Sequence, residues 1–341
     1  MVLEVIVLSY YTILGTLGIV LNATLLYLSI FRSPSQIKTY RILIINFALT
    51  DMFSSFLMMF IAPRVIPLDL AMAHIFYGLC HYAGPFLCYA SYSSLLHLFM
   101  HSMWSLLLSF AYRNYILSNG PPSSFKLFMC AVLFYIPSFI QFIVFTFTAG
   151  DPHTILNMLR VKFPDYELDI TTITGITDVL SPAATFSILN ITLPVFPIYT
   201  AILIFRRKIL KKLGKNTEHL RTETRNIHKQ LLKALTLQAC LPILFTGGVF
   251  LFFLQAIRLI THPILECLIC AIPAPIPLLS SIISLYHIRP YRQALLRLFT
   301  RITMPIPTKE HHSSAVVLAP KHKISVLSAS RLHRLSIPNN S

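Results

Sequence analysis

Long apolar stretches without charge alternate along the chain with short polar segments, and their spacing sets the architecture. A helix that crosses a bilayer needs roughly 20 mostly apolar residues at about 1.5 Å of rise each. Seven stretches qualify, at residues 5–31, 42–66, 82–110, 127–149, 183–205, 234–257 and 264–287. They are too long, and too poor in alternating polar positions, to be strands of a membrane barrel. The pattern predicts an all-α integral membrane bundle of seven helices within residues 1–302, with no internal repeat and no second domain. The first stretch carries Glu4 in place of a basic leader, and its apolar run exceeds the 7–15 residues of a signal-peptide core, so it reads as a membrane helix.

Beyond the seventh stretch the period changes. In HIRPYRQALLRLFTRI, Tyr291, Ala294, Leu295, Leu298, Phe299 and Ile302 fall on one helical face, and Arg292, Arg297 and Arg301 on the other. This predicts a basic amphipathic helix over 289–302, lying along the anionic inner leaflet of the bilayer. Residues 303–341 read as a disordered cytoplasmic tail whose serines, Ser313 to Ser336, are candidates for phosphorylation and recruitment of an arrestin-like partner.

Composition agrees with a membrane protein: 55% of residues are hydrophobic and only 12% charged, about half the charged share of soluble domains. The net charge of +16 does not indicate nucleic acid as a partner, because its distribution follows topology. Of the 28 Lys and Arg, all but Arg64, Arg160, Lys162 and Arg258 lie after stretches 1, 3 and 5 or after stretch 7. Positive residues stay cytoplasmic, which predicts an outside N-terminus and a cytoplasmic C-terminus. Six cysteines are scattered without metal-site spacing, and Cys267-x-x-Cys270 lies in an apolar run where two small buried residues are the simpler reading.

No enzymatic constellation appears, and no cofactor or metal is implied. Asp51 lies about 14 Å into the second helix, near the bilayer centre, where a carboxylate must be neutralised, solvated or paired. Asn22 lies at the same depth in the first helix. In the third, Ser94, His97, His101 and Ser105 make one polar stripe expected to face the bundle. These residues predict a polar centre built from Asn22, Asp51, His97 and His101, either a switch between two packings or a static glue. Pro194, Pro197, Pro242, Pro273, Pro275 and Pro277 predict bends in the last three helices.

Several runs carry a specific likeness: RILIINFALTD, AHIFYGLCHYAGPFLCY, HSMWSLLLSFAYRNYIL, KQLLKALTLQACLPILF, THPILE and RPYR. Together they resemble the nematode chemoreceptors called serpentine receptor class delta, of the Str group of G-protein-coupled receptors, from about residue 10 to 302. The resemblance implies a cell-membrane receptor, at the ciliary membrane of sensory neurons, that binds a small molecule and activates a heterotrimeric G protein. SFAYRNYIL then takes the place of the acidic–Arg–aromatic motif of rhodopsin-like receptors, with Arg113 on the arginine and Tyr112 replacing the acid. Residues 264–287 contain no Asn, and 150–181 no Cys, so Cys80 lacks the usual disulfide partner in that loop.

On this reading the ligand pocket lies between helices 3, 5, 6 and 7. Tyr82, Phe86 and Tyr89 share a face of helix 3 and are candidates for its lining, although packing against helix 2 or 4 would explain them equally. Glu266 is the acidic candidate near the pocket. Tyr112, Arg113, Arg206, Arg207, Lys208 and Lys229 are the candidates for G-protein contact, with membrane anchoring the competing role of the basic ones. The rival class is a multi-pass transporter or ligand-gated channel.

Overall fold

Two loops of the chain, not only its helices, shape the molecule. The structure, a computed structural model, describes residues 2–34, 37–164, 166, 170–215 and 222–303, with the side chains of 171, 215, 222–224 and 298–303 excepted. Seven membrane-length apolar spans run over Val2–Phe31, Arg41–Ile61, Pro85–Asn119, Ser124–Thr146, Pro182–Gly214, Arg225–Ala256 and Pro263–His287. The first four are the single helices α1 to α4 in that order. Ile13, Leu17, Phe125, Leu133, Phe147 and Phe250 are among the large apolar side chains exposed on the outer faces, an arrangement suited to lipid and not to water.

The last three spans are each broken. The fifth is α6 (Pro182–Thr192) and α7 (Val195–Lys215), the sixth α8 (Thr222–Gln238) and α9 (Pro242–Ala256), the seventh α10 (Pro263–Ala271) and α11 (Ile276–His287). Pro194 lies in the first break, Pro242 opens α9, and Pro273 and Pro275 lie in the last. Each proline removes a backbone donor and displaces the preceding turn, so the bends expected from these residues become full interruptions.

Span ends depart from the hydropathy pattern in two places. The second span stops at Ile61, five residues short, because Pro63 follows and Ala62 turns into the left-handed region at φ 40°. The third continues nine residues past 110, because nothing breaks it before Gly120-Pro121-Pro122, and Gly120 ends it at φ 75°. Tyr112 and Arg113 therefore lie well inside α3 and not at its end.

The segment after the second span is a β-hairpin, β1 (Pro63–Leu68) and β2 (Ala71–Phe76), joined through Asp69 at φ 56°. β2 also pairs antiparallel with β3 (Ile173–Ile176) from the loop between spans four and five, with Met72 opposite Ile176 and Ile75 opposite Ile173. The hydropathy pattern gives no warning of this sheet. Every residue in its strands is buried, so polar–apolar alternation is absent. Val65, Met72 and Phe76 pack into the bundle, while Ile66, Leu68, Ala73 and Ile75 pack with Ile155, Leu156 and Leu159 of α5 (Pro152–Lys162). Asp151 caps α5 by accepting from the Thr154 amide at 2.9 Å, and that bond holds its carboxyl below the usual range.

At the opposite end α12 (Arg289–Thr303) follows the seventh span directly. Tyr291 is fully buried and its hydroxyl meets that of Ser33 at 2.7 Å, tying α12 to the end of the first span. Ala294 and Leu295 pack beside it, as the amphipathic pattern requires. Leu298, Phe299, Arg301 and Ile302 of that pattern, and the serines of the tail, lie outside the described side chains.

Candidate functional site

Beneath the sheet is a cavity of about 320 Å³, enclosed by α3, α6, α9, α10 and the hairpin. Its wall on α3 is Tyr92, Leu95, Leu96 and Phe99, spaced as one helical stripe. Ile188 and Ile191 of α6, Phe252 and Phe253 of α9, and Ile269 and Cys270 of α10 complete the sides, and Val65 and Met72 form the roof. Phe99 and Phe245 meet at the floor with ring centres 5.8 Å apart. The same two rings roof a small void of about 40 Å³ reaching Gln238 and Ser280.

The roof is fastened by ions. Arg64 of β1 donates to one oxygen of Glu266 at 2.9 Å through Nε and at 2.6 Å through Nη2, and to the Tyr77 hydroxyl at 2.9 Å. Tyr166 donates to the other Glu266 oxygen at 3.2 Å, and its ring lies 4.8 Å from the Arg64 guanidinium. Burial disfavours the Arg64 charge, but Tyr77 and Glu266 outweigh it and leave its pKa raised. At the hairpin tip, exposed Asp69 receives Lys162 at 3.0 Å and a two-oxygen grip from Arg258 at 2.8 and 2.9 Å. The hydrogen bond from Lys162, then that from Arg258, holds the Asp69 carboxyl below its ordinary range. Three of the four basic residues predicted for this side thus have acidic partners. Cys80 is bonded to Cys88, not to the later loop, which fastens the turn before α3 to its first helical turns.

The predicted lining residues lie elsewhere. Tyr82 is 81% exposed and Phe86 68% exposed, so neither faces the cavity. Tyr82 precedes α3 in a 3-10 turn and does not share a helical face with the other two. Tyr89 is buried, but against α4: its ring stacks on Phe145 and its hydroxyl meets that of Thr148 at 2.7 Å. Glu266 is consumed by Arg64 and Tyr166. The stripe that does line the cavity begins three residues further on, at Tyr92, and its i, i+3, i+4, i+7 spacing was present in the sequence. His74, which no sequence pattern marks, is fully buried on β2 between Phe76, Tyr89 and Tyr92, and among the described residues neither ring nitrogen is hydrogen-bonded. Burial alone pushes its pKa down to about 3.

The polar centre divides in two. Asn22 donates to the Gly18 and Pro277 carbonyls at 2.9 and 3.2 Å, and Asp51 receives a hydrogen bond from Ser280. Gln238 donates to Ser280 and Ser284 at 3.1 Å each, so spans one, two, six and seven meet here. His97 and His101 do not join this group. Their rings lie 4.7 and 4.8 Å from Tyr135 of the fourth span, drawn there by edge-on aromatic contact. His101 instead meets Asn46 at 3.1 Å, and Asn46 donates to Ser105 at 2.8 Å.

Near the basic end, Arg113 is 1% exposed. Its guanidinium lies 4.0 Å from the centre of the Tyr40 ring, and Nη1 donates to Nδ1 of His228 on α8 at 2.8 Å. Arginine only donates, so His228 must be neutral with its proton on Nε2. Tyr112 stacks on the other side of the same cluster, 5.6 Å from Tyr40. Arg113, three residues beyond the third apolar stretch in the sequence, is therefore not at a helix end: the helix continues past it to Asn119 and Tyr40 covers it. Nε and Nη2 make no hydrogen bond among the described residues. Of the other basic candidates, Arg207, Lys208 and Lys229 are exposed and Arg206 is partly so. Lys212 reaches back to the carbonyl and side-chain oxygens of Asn114, both at 2.9 Å.

Comparison with known proteins places this geometry. The profile of the family described as "Serpentine type 7TM GPCR chemoreceptor Srd" matches residues 7–297. Serpentine receptor class delta-18 of Caenorhabditis elegans is 43% identical over 285 residues, covering 82% of this chain and 85% of that protein. Serpentine receptor class delta-19 from the same nematode is 41% identical over 286 residues, covering 83% and 84%. The crystal structure of squid rhodopsin superposes with a TM-score of 0.58 at 14% identity, covering 88% of this chain and 87% of that one.

Proposed function

Since the chain belongs to the Srd family of seven-transmembrane G-protein-coupled chemoreceptors, we propose that the cavity beneath the sheet holds its ligand and that the Arg113 end meets the G protein. A multi-pass membrane receptor of this family binds a small molecule and couples to a heterotrimeric G protein; the transporter or channel reading is not favoured. The sheet end faces outward in our reading. Two observations support that orientation: the basic residues concentrate at the other end, and the Cys80–Cys88 disulfide belongs to an oxidising compartment. Placement in a sensory ciliary membrane, and regulation of the tail by an arrestin-like partner, extend the same reading.

One observation carries the proposed coupling. Phe99 and Phe245 are at once the floor of the ligand cavity and the roof of the void above Gln238 and Ser280. A ligand that displaces either ring shifts the packing over Asp51, Ser280 and Gln238, and the spans of Ser280 and Gln238 are interrupted at prolines and can turn about those breaks. The sixth span also carries His228 at its other end, so its movement withdraws the acceptor from Arg113. Arg207, Lys208 and Lys229 are exposed near that site and form the proposed docking surface. The test is ligand-stimulated nucleotide exchange, normalised to surface receptor, in cells screened with small molecules. Phe245→Ala should reach the surface and lose most of the stimulated exchange; an unchanged response would reject this route.

A further inference from the structure

The cavity's walls say how a ligand reaches it. Toward solvent the roof is the buried three-stranded sheet, tied down by Arg64–Glu266, and where the lining reaches solvent, at exposed Asp69, the salt bridges from Arg258 and Lys162 cover the edge. The side toward lipid is not closed in the same way. α6 packs on α4, and α9 packs on α10 and β1, but α6 and α9 have no substantial packing on each other although both line the cavity. Phe253 of α9 belongs to the cavity wall and is 50% exposed, so the cavity is not sealed where this side chain stands.

The chemistry of the lining is equally one-sided. Asp69 is the charged residue at its edge, and Arg258 and Lys162 already engage both of its oxygens. Thr192 spends its proton on the Ile188 carbonyl at 2.8 Å, and Tyr92 is hydrogen-bonded with Cys270. A charged ligand would be desolvated here without a counter-charge, whereas an apolar one transfers from lipid to a matching wall. The volume, about 320 Å³, is roughly twice that of an apolar cavity known to hold benzene.

We propose that the ligand is an uncharged, largely apolar molecule of one or two rings' bulk, and that it enters sideways from the bilayer through the α6–α9 seam. This rests on the reading of the cavity as the receptor's ligand site.

The test uses full-length receptor in lipid nanodiscs and the uncharged, polarity-sensitive fluorophore prodan. Trp104 is the sole tryptophan, so energy transfer from it to prodan, corrected for empty nanodiscs, reports bound probe without any G protein. Naphthalene should displace prodan and 2-naphthoate should not. Ile188→Phe, or Val249→Phe from the other side of the seam, should slow association about five-fold or more, because entry then requires the helices to part further. Arg258→Gln, which loosens the roof, should leave the association rate within about two-fold of the wild-type value. Displacement by 2-naphthoate as strong as by naphthalene would overturn the ligand class, as would failure of prodan to bind. Faster association in Arg258→Gln with no effect of either seam variant would overturn the route. If prodan binds as expected but no ligand stimulates exchange, the receptor mechanism falls and the site stands.

Discussion

Arg113 of α3 donates to His228 of α8 at 2.8 Å, with the Tyr40 ring 4.0 Å from its guanidinium. Tyr112, not an acid, precedes the arginine in the chain, and among the described residues a neutral imidazole and an aromatic face do the holding. A cation–π contact that is desolvated contributes about 2 kcal/mol, comparable to a hydrogen bond from a charged group. His228→Ala should therefore raise ligand-independent nucleotide exchange several-fold, and Tyr40→Leu should do the same. Arg113→Lys should reach the surface and signal poorly, since an ammonium cannot present the planar fork of donors. Basal exchange unchanged in both His228→Ala and Tyr40→Leu would mean that the contact does not restrain the sixth span.

Asp51 tests the central network. Asp51→Ala removes the acceptor of Ser280 inside a buried group and should cost about 1–3 kcal/mol, seen as lower surface level and a blunted response. Asp51→Asn retains an acceptor and should be milder. Wild-type expression and response in the alanine variant would sink the idea that this cluster joins the spans.

Arg64 and Glu266 form a buried pair, with side chains 9% and 4% exposed. Removing one member strands the other, at about 3–5 kcal/mol. Glu266→Ala should lower the melting temperature strongly, and Arg64→Met with Glu266→Leu should recover much of the loss. A double variant no more stable than the single one would show that the ions are needed for more than each other.

His74 gives a pH dependence with a definite sign. Unfolded histidine titrates near 6.5, and in the fold burial holds His74 at about 3. Above 6.5 both states are neutral and the group contributes nothing to the slope. As pH falls from 6.5 toward 3, only the unfolded chain takes up the proton, so stability declines by about 1.4 kcal/mol per unit, or about 2 kcal/mol at pH 5. The melting temperature of purified receptor at pH 7.5 and at pH 5 should differ, and His74→Phe should shrink the difference. An identical pH slope in the variant would refute this assignment.

Hydropathy and charge made the seven spans and the amphipathic helix legible, and the prolines marked where the last three spans depart from straight helices, as bends and not as the full breaks found. These depend on composition over many residues and on one residue's missing donor. The sheet was not legible, because burial of Val65, Met72 and Ile75 on opposite faces erases the two-residue period that marks a strand. Arg113 was misplaced for a related reason. A charge at the end of an apolar run looks like a membrane boundary, but the helix obeys its breakers at Gly120 and Pro121, and Tyr40, far away in sequence, supplies the cover. Tyr82 and Phe86 show the limit of counting along a helix whose start is unknown: the turn at Leu79–Ala83 shifts the frame, and Tyr92, Leu95 and Phe99 take the inner face.

β2 is hydrogen-bonded along both edges, to β1 and to β3. Its apolar side chains alternate between the bundle, at Met72 and Phe76, and the α5 layer, at Ala71, Ala73 and Ile75, so one added or deleted residue between Ala71 and Phe76 would reverse the facing of every residue on one side of the change. Among related receptors, the length of this strand should be invariant while its side chains vary freely. On the proposed reading, new ligand preferences at the roof can then arise by point substitution without disturbing the register.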